Sequence, residues 1–445
     1  MCVLRTEIGE WLAVRRADDA FARFAGHLAV LERVLGGMLD AVAAEIVAID
    51  TDATASGLVY ERCRAADHRI SLVRRTHEWY AAKYDQRLGS AATVLRAADE
   101  VVRSCWSEAF AALGRQPPAG PLVYLDPRFD AFATPRVSVP PDLRAPGDAV
   151  VGEFVRELPI PVVALPALCA DEPWWLVLAA HETGHHVQHD LGLVAETRTV
   201  LGVAVGDERA ACWSAWAMEA FADAFAVLTV GPAAAWAVEE LHHGDPARMV
   251  TTPSAASRYP PPPVRTALMG ELARAAGWVN TGPAAADVLE WLAELSTADE
   301  APLPCEEVSE HVRLTPQTAS ALVELPIEGV PMRVVCGGED DTLAADDGVH
   351  AWAAALQTPR PLVSGRSRRE AARYGVAGGV AAYRALAARS GSGHLDDLRT
   401  TLPALLATCG PTGHLAAAPV SDLDDLTRRL TAQLFAAAPD GPGGG

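Results

Sequence analysis

Trp174-Trp175-Leu176-Val177-Leu178-Ala179-Ala180-His181-Glu182-Thr183-Gly184-His185-His186 reads as an apolar helix that turns polar around two histidines. Asp171 is the expected N-cap, Pro173 fits the first turn, where its missing N–H costs nothing, and Gly192 is the expected stop. On such a helix His181 and His185 lie one turn apart, so both imidazoles point the same way and can grip one ion. Glu182 sits beside them, within reach of a metal-bound water. This is the HExxH arrangement. Three fixed residues arise by chance in roughly one chain of this length in forty, so the motif alone decides little.

A second helix gives it weight. The spacing predicts a helix from about Asp207 to Val230, stopped by Gly231-Pro232, and between Ala210 and Val230 its only charged residues are Glu219 and Asp223. Trp213, Trp216, Met218, Phe221, Phe225, Val227, Leu228 and alanines make it apolar nearly all round, the mark of a buried helix. A buried carboxylate is costly unless paired, hydrogen-bonded or metal-bound, and two of them four residues apart repel each other. Something cationic should therefore meet them. A zinc ion held by His181 and His185, with Glu219 as third ligand, satisfies that need. Asp223 then accepts the free N–H of one of those histidines. The competing reading is that buried arginines neutralise both carboxylates.

HExxH on one helix and ExxxD on a later one resembles the gluzincin metallopeptidases, such as the thermolysin-like and membrane-associated zinc peptidase families. Glu219-Ala220-Phe221-Ala222-Asp223-Ala224-Phe225-Ala226 looks like their glutamate helix. The resemblance implies zinc ligands His181, His185 and Glu219, with Glu182 as general base, and covers about residues 160 to 265. The 33 residues between His185 and Glu219 exceed the thermolysin-type separation, which predicts an inserted loop or helix. A proline-rich lead-in to a helix bearing an arginine, here Tyr259 to Arg265, also recurs in such peptidases. A metzincin reading fails, because Gln188 and Leu191 occupy the positions of its glycine and third ligand. His186 and His189 fall off the ligand face.

Outward from this centre, Leu122-Val123-Tyr124-Leu125 and Ile160-Pro161-Val162-Val163-Ala164-Leu165 are short β-branched runs bounded by prolines, hence strands. The prolines suggest edge positions, and the resemblance implies that Ile160 to Leu165 is the edge strand along which substrate lies. Residues 7 to about 113 show helical spacing, as does most of the chain from about 265 to 438, with one expected strand at Met332-Arg333-Val334-Val335. The expected architecture is mainly α with a small β-sheet. A zincin-like domain at 116–300 lies between an N-terminal helical domain at 1–115 and a C-terminal helical region at 301–445. The Gly-rich tail Gly441–Gly445 is expected to be disordered. A second donor to an oxyanion is expected among Tyr259, His242 and His243, with Tyr259 taken as the catalytic candidate. The acidic cluster Glu339-Asp340-Asp341 with Asp346-Asp347 lacks calcium-loop spacing and reads as helix-start capping. Arg366, Arg368 and Arg369 read as a solvated face.

The composition narrows the partners. The chain has 445 residues and 37 Lys+Arg against 57 Asp+Glu, for a formal net charge of −20. That argues against nucleic acid and anionic membranes, which need a basic surface. Half of the residues are hydrophobic and 21% are charged, which excludes a largely disordered chain. No secretory leader or run of 18 apolar residues is visible, and the eight cysteines form no CxxC pair. Reduced thiols in a cytoplasm are expected. Together these readings predict a cytoplasmic zinc metallopeptidase acting on a peptide or protein substrate, with a partner protein possible through the helical flanks. Two other readings stay open: a zincin-like binding or regulatory module with non-catalytic zinc, and a metal-dependent hydrolase of a non-peptide amide.

Overall fold

The two β-branched runs pair with each other. β1 (Leu122–Asp126) and β3 (Val162–Pro166) lie parallel, with Tyr124 opposite Ala164. A third strand, β2 (Phe132–Thr134), runs antiparallel to β3, with Ala133 opposite Val163. The computed structural model in which they are seen describes residues 1–51, 56–128, 131–136, 143, 157–278, 282–297, 303–337, 342–357, 368–389, 393–409 and 420–435. Strand order is β1-β3-β2, so β3 is central. This corrects the expectation that Ile160 to Leu165 forms an edge. Pro161 immediately precedes β3 and Pro166 is its last residue, so neither interrupts the strand's interior. The edge beside the site is β2.

All five residues of β3 are buried, because the sheet is covered on both faces. Val123, Val163 and Leu165 face one hydrophobic core. Leu122, Tyr124, Val162 and Ala164 face a second. The alternation follows the two-residue period of a strand. The first core takes in the helix Ala92–Ala112, the site helices described below, and the C-terminal helices Arg368–Ala387 and Gly393–Leu406. The second takes in the N-terminal helices Cys2–Ala17, Ala25–Thr51 and Ser56–Asp85 together with the late helix Val420–Phe435. Neither core follows chain order. Trp174, just before the site, stacks on Tyr383 at 4.2 Å and 15°. Such a pair contributes about 0.5–1.5 kcal/mol beyond its burial and ties the C-terminal helices to the centre.

The fold is thus mainly α with a small mixed sheet. The expected strand at Met332–Val335 is instead the start of a helix, Met332–Gly337. It follows a two-stranded ribbon, Pro326–Ile327 with Val330–Pro331, turned at Glu328 and Gly329, both with positive φ. Met332, Val335 and Cys336 are the buried residues, a three-and-four spacing that a helix satisfies and a strand does not. No helix among the described residues is long and apolar enough to cross a membrane, and all eight cysteines are free. Glu339, Asp340, Asp341, Arg366, Gly441–Gly445 and the side chains of Asp346, Arg368 and Arg369 lie outside the described residues.

The N-terminal core contains a titratable group with a stability consequence. His27 is fully buried, with Nδ1 2.9 Å from the Tyr84 hydroxyl. Burial, aided by the charges of Arg136 and Arg87, pushes its pKa down to about 3. In the unfolded chain it titrates near 6.5, so between those values the unfolded state alone takes up the proton. The stability that neutral His27 contributes is present above about pH 6.5 and is lost as pH falls toward 3. At pH 5 the loss is about 2 kcal/mol. Denaturant unfolding of His27→Gln at pH 7.5 and 5 should show a shallower pH dependence than the parent; an unchanged slope would contradict this assignment.

Candidate metal centre

The histidine helix begins as a 3₁₀ turn at Pro173–Val177 and continues as an α-helix over Leu178–Asp190. Asp171 is not its cap: Glu172 holds that place, without a side-chain cap, and its carboxylate accepts the Trp175 indole N–H at 3.0 Å. The end is as expected. Gly192 adopts φ +69° and Leu193 N–H returns to the Gln188 carbonyl at 2.9 Å, the six-to-one closure of a Schellman stop. A helix at Val194–Val205 fills the stretch before the glutamate helix, Asp207–Val230.

These two helices meet closely because of Gly184. A Cβ built there would lie 3.0 Å from both Ala222 Cα and Phe225 Cβ. Glycine inside a helix costs about 0.5–1 kcal/mol relative to alanine, and here it is the only residue whose size permits the approach. Ala222 and Phe225 bracket Asp223, so the contact sets the two carboxylates opposite the histidines.

The structure brings His181, His185 and Glu219 together, with one ligand atom from each lying within 4.8 Å of the others. Glu219 Oε2 is 3.3 Å from His181 Nε2 and 3.8 Å from His185 Nε2. Tetrahedral zinc, with ligand bonds of about 2.0–2.1 Å, separates its ligand atoms by ~3.3 Å. The donor set therefore fits a divalent ion of that size. The three side chains keep 14%, 11% and 8% of their surface exposed, so the cluster can be reached from solvent.

Asp223 does what its position on the helix implies. It is fully buried, and Oδ1 lies 2.9 Å from His181 Nδ1, which turns Nε2 of that ring toward Glu219. The same carboxylate is also gripped by an arginine: Arg265 Nη2 and Nε donate to Asp223 Oδ1 and Oδ2 at 2.7 and 2.8 Å. Arg265 Nη2 lies 4.0 Å from Glu219 Oε2. The arginine reading thus holds in part, at Asp223, while Glu219 faces the two imidazoles. The sequence signal for Arg265 was a single charge in the apolar run Pro263-Val264-Arg265-Thr266-Ala267-Leu268. The helix that carries it, Pro262–Ala275, takes its first turn from the last two prolines of the proline run.

Charge is distributed unevenly over this cluster. Burial disfavours a proton on His181, but the hydrogen bonds to Asp223 and Glu219 outweigh it and raise its pKa to about 10. Burial and then the neighbouring His181 push His185 down to about 3. Burial disfavours the Asp223 charge, yet Arg265 and His181 overcome it and hold the carboxyl well below its usual range. Glu182 is pushed up to about 7 by burial, with Glu219 adding to the rise and the His181 and Arg265 charges opposing it. A backbone hydrogen bond from Ala133 also favours its ionised form. Ala133 is the middle residue of the edge strand β2, a contributor that nothing in the sequence singled out.

His186 is buried and its Nε2 lies 3.0 Å from the Val162 carbonyl, pinning the histidine helix to β3. His189 lies in the last turn of the histidine helix and is not one of the converging donors. Tyr259 is half-exposed, and its hydroxyl accepts from Arg258 Nη2 at 3.1 Å. His242 ends the helix Pro232–His242 and is pushed down to about 4, first by burial and then by Arg265. His243 is exposed. His242 feels the charges of both Arg265 and Asp223.

No protein-family model, curated protein or solved structure matches this chain.

Proposed function

We propose that the chain is a cytoplasmic zinc-dependent metallopeptidase of gluzincin type, with His181, His185 and Glu219 as zinc ligands and Glu182 as general base. The observation that carries this reading is the convergence of the three donors at metal-ligand separations, with Glu182 next to the first of them. Zinc held by three protein ligands keeps a fourth position open, lowers the pKa of water there to about 7 and polarises a carbonyl.

The chain's own residues do the rest. Glu182 removes the proton from water as it attacks the scissile carbonyl and delivers it to the departing amine, and the Ala133 N–H steadies its carboxylate between the two transfers. Asp223 fixes the tautomer of His181, and Arg265 keeps Asp223 ionised where burial would otherwise protonate it. Along a strand, peptide groups point alternately to either side. With its N–H turned to Glu182, Ala133 presents its carbonyl on the free edge of β2 as well. An extended peptide laid along that edge passes beside the cluster, which makes Phe132–Thr134, not β3, the substrate strand.

A peptide-library digest with and without chelator tests this reading. Cleavage that chelator abolishes and zinc restores is the expected result. Intact peptides in every condition, with zinc bound, would point instead to a non-catalytic zinc module or a non-peptide amide substrate.

A further inference from the structure

The two histidines are not held alike. His181 Nδ1 has Asp223, whereas His185 Nδ1 is buried with no hydrogen-bond partner. An imidazole that ligates through Nε2 must carry its proton on Nδ1, and a buried N–H without an acceptor costs about 1–3 kcal/mol. An acceptor in the same predicament lies one turn further along the helix: Gln188 Oε1, on a fully buried side chain, is also unpartnered. Residues three apart on a helix are neighbours on one side of it.

The orientation of the Gln188 amide is fixed by what it already does. Its Nε2 lies 3.2 Å from Thr197 Oγ1. Thr197 Oγ1 uses its single proton on the Leu193 carbonyl at 2.7 Å, so it can only accept from Gln188. The amide therefore presents N–H₂ to Thr197 and leaves Oε1 as the free end. Thr197 comes from the inserted helix Val194–Val205, and it is fully buried.

We propose that Gln188 is the positioning residue of His185. Its Oε1 accepts the Nδ1 proton through one buried water, and Thr197 locks the amide in the accepting orientation. The inference rests on the zinc-ligand role given to His185 above. It assigns the inserted helix a purpose: Gln188–Thr197 does for the second histidine what Asp223–Arg265 does for the first. A buried water between a donor and an acceptor has the polar partners it needs.

The test is zinc affinity of the full-length protein, measured by competition with a chromophoric chelator. Gln188→Met preserves length and burial but removes the acceptor, and should weaken zinc binding 10- to 100-fold. Gln188→Glu keeps an oxygen in the same place and should bind zinc within a few fold of the parent. In ¹⁵N-histidine spectra of the zinc-loaded protein, the hydrogen-bonded Nδ1–H signal of His185 should persist in the parent and Gln188→Glu and be lost or shifted in Gln188→Met. Equal zinc affinity in the parent and Gln188→Met, or a Gln188→Glu chain as weak as Gln188→Met, overturns the inference. Should Gln188→Met fail to fold, Thr197→Val reads the same lock; an unchanged affinity and an unchanged His185 signal there overturn it equally. A parent that binds no zinc would defeat the metal reading itself, a different outcome from any of these.

Discussion

Glu182→Gln should keep its zinc and its fold while losing about 10²–10⁴-fold in kcat, the range that a positioned general base contributes. The amide is nearly isosteric and none of the three converging donors belongs to residue 182, so the ligand set is untouched. What disappears is the capacity to take a proton from water and return it to the amine. The substitution also removes a buried negative charge that is in repulsion with Glu219, so stability should be equal to the parent's or slightly higher. Zinc content by atomic absorption and turnover of a peptide found in the library digest check both halves. Parent-like turnover by a zinc-loaded Glu182→Gln chain would remove Glu182 from its role.

The second large effect is on stability. Asp223→Ala should destabilise the fold by about 3–5 kcal/mol, because it leaves Arg265 with its charge and without its two carboxylate bonds. Breaking one partner out of a buried pair costs far more than the pair itself is worth, since the orphaned charge stays desolvated. His181 loses its acceptor in the same stroke, and zinc affinity should fall 10- to 100-fold. The double variant Asp223→Ala with Arg265→Leu separates these effects. Replacing both members of a buried pair by apolar groups is nearly neutral, so denaturant unfolding should recover most of the lost stability. Zinc affinity should not recover, because His181 still lacks its acceptor. If stability stayed low in the double variant, Arg265 would have some role beyond pairing with Asp223.

The legible parts of this molecule were those whose signal is local. The spacing of His181 and His185, the all-round apolarity of Asp207–Val230 and the pair Glu219 and Asp223 are each contained within one helix, and their meeting follows from the cost of burying a carboxylate. Gly192 and Gly231-Pro232 gave the helix ends, both of which are seen. The illegible parts depend on pairing between distant segments. Ile160–Leu165 has an edge-like sequence, yet β1 and β2 both choose it as partner, and the edge beside the site is left to the three-residue run Phe132–Thr134. So short a strand carries no periodicity to read. Ala133 contributes through its backbone, which leaves no side-chain signature. The two cores recruit helices from opposite ends of the chain, which no composition shift marks. At Met332–Val335 two adjacent valines suggested a strand, while the buried set is spaced for a helix.

The most direct check on the whole account is the metal content of the purified protein set beside that of Glu219→Ala. About one zinc per parent chain is expected, with a large loss in the variant, since two imidazoles alone leave the ion without its carboxylate. Equal metal in both, or none in the parent after incubation with zinc, would contradict it.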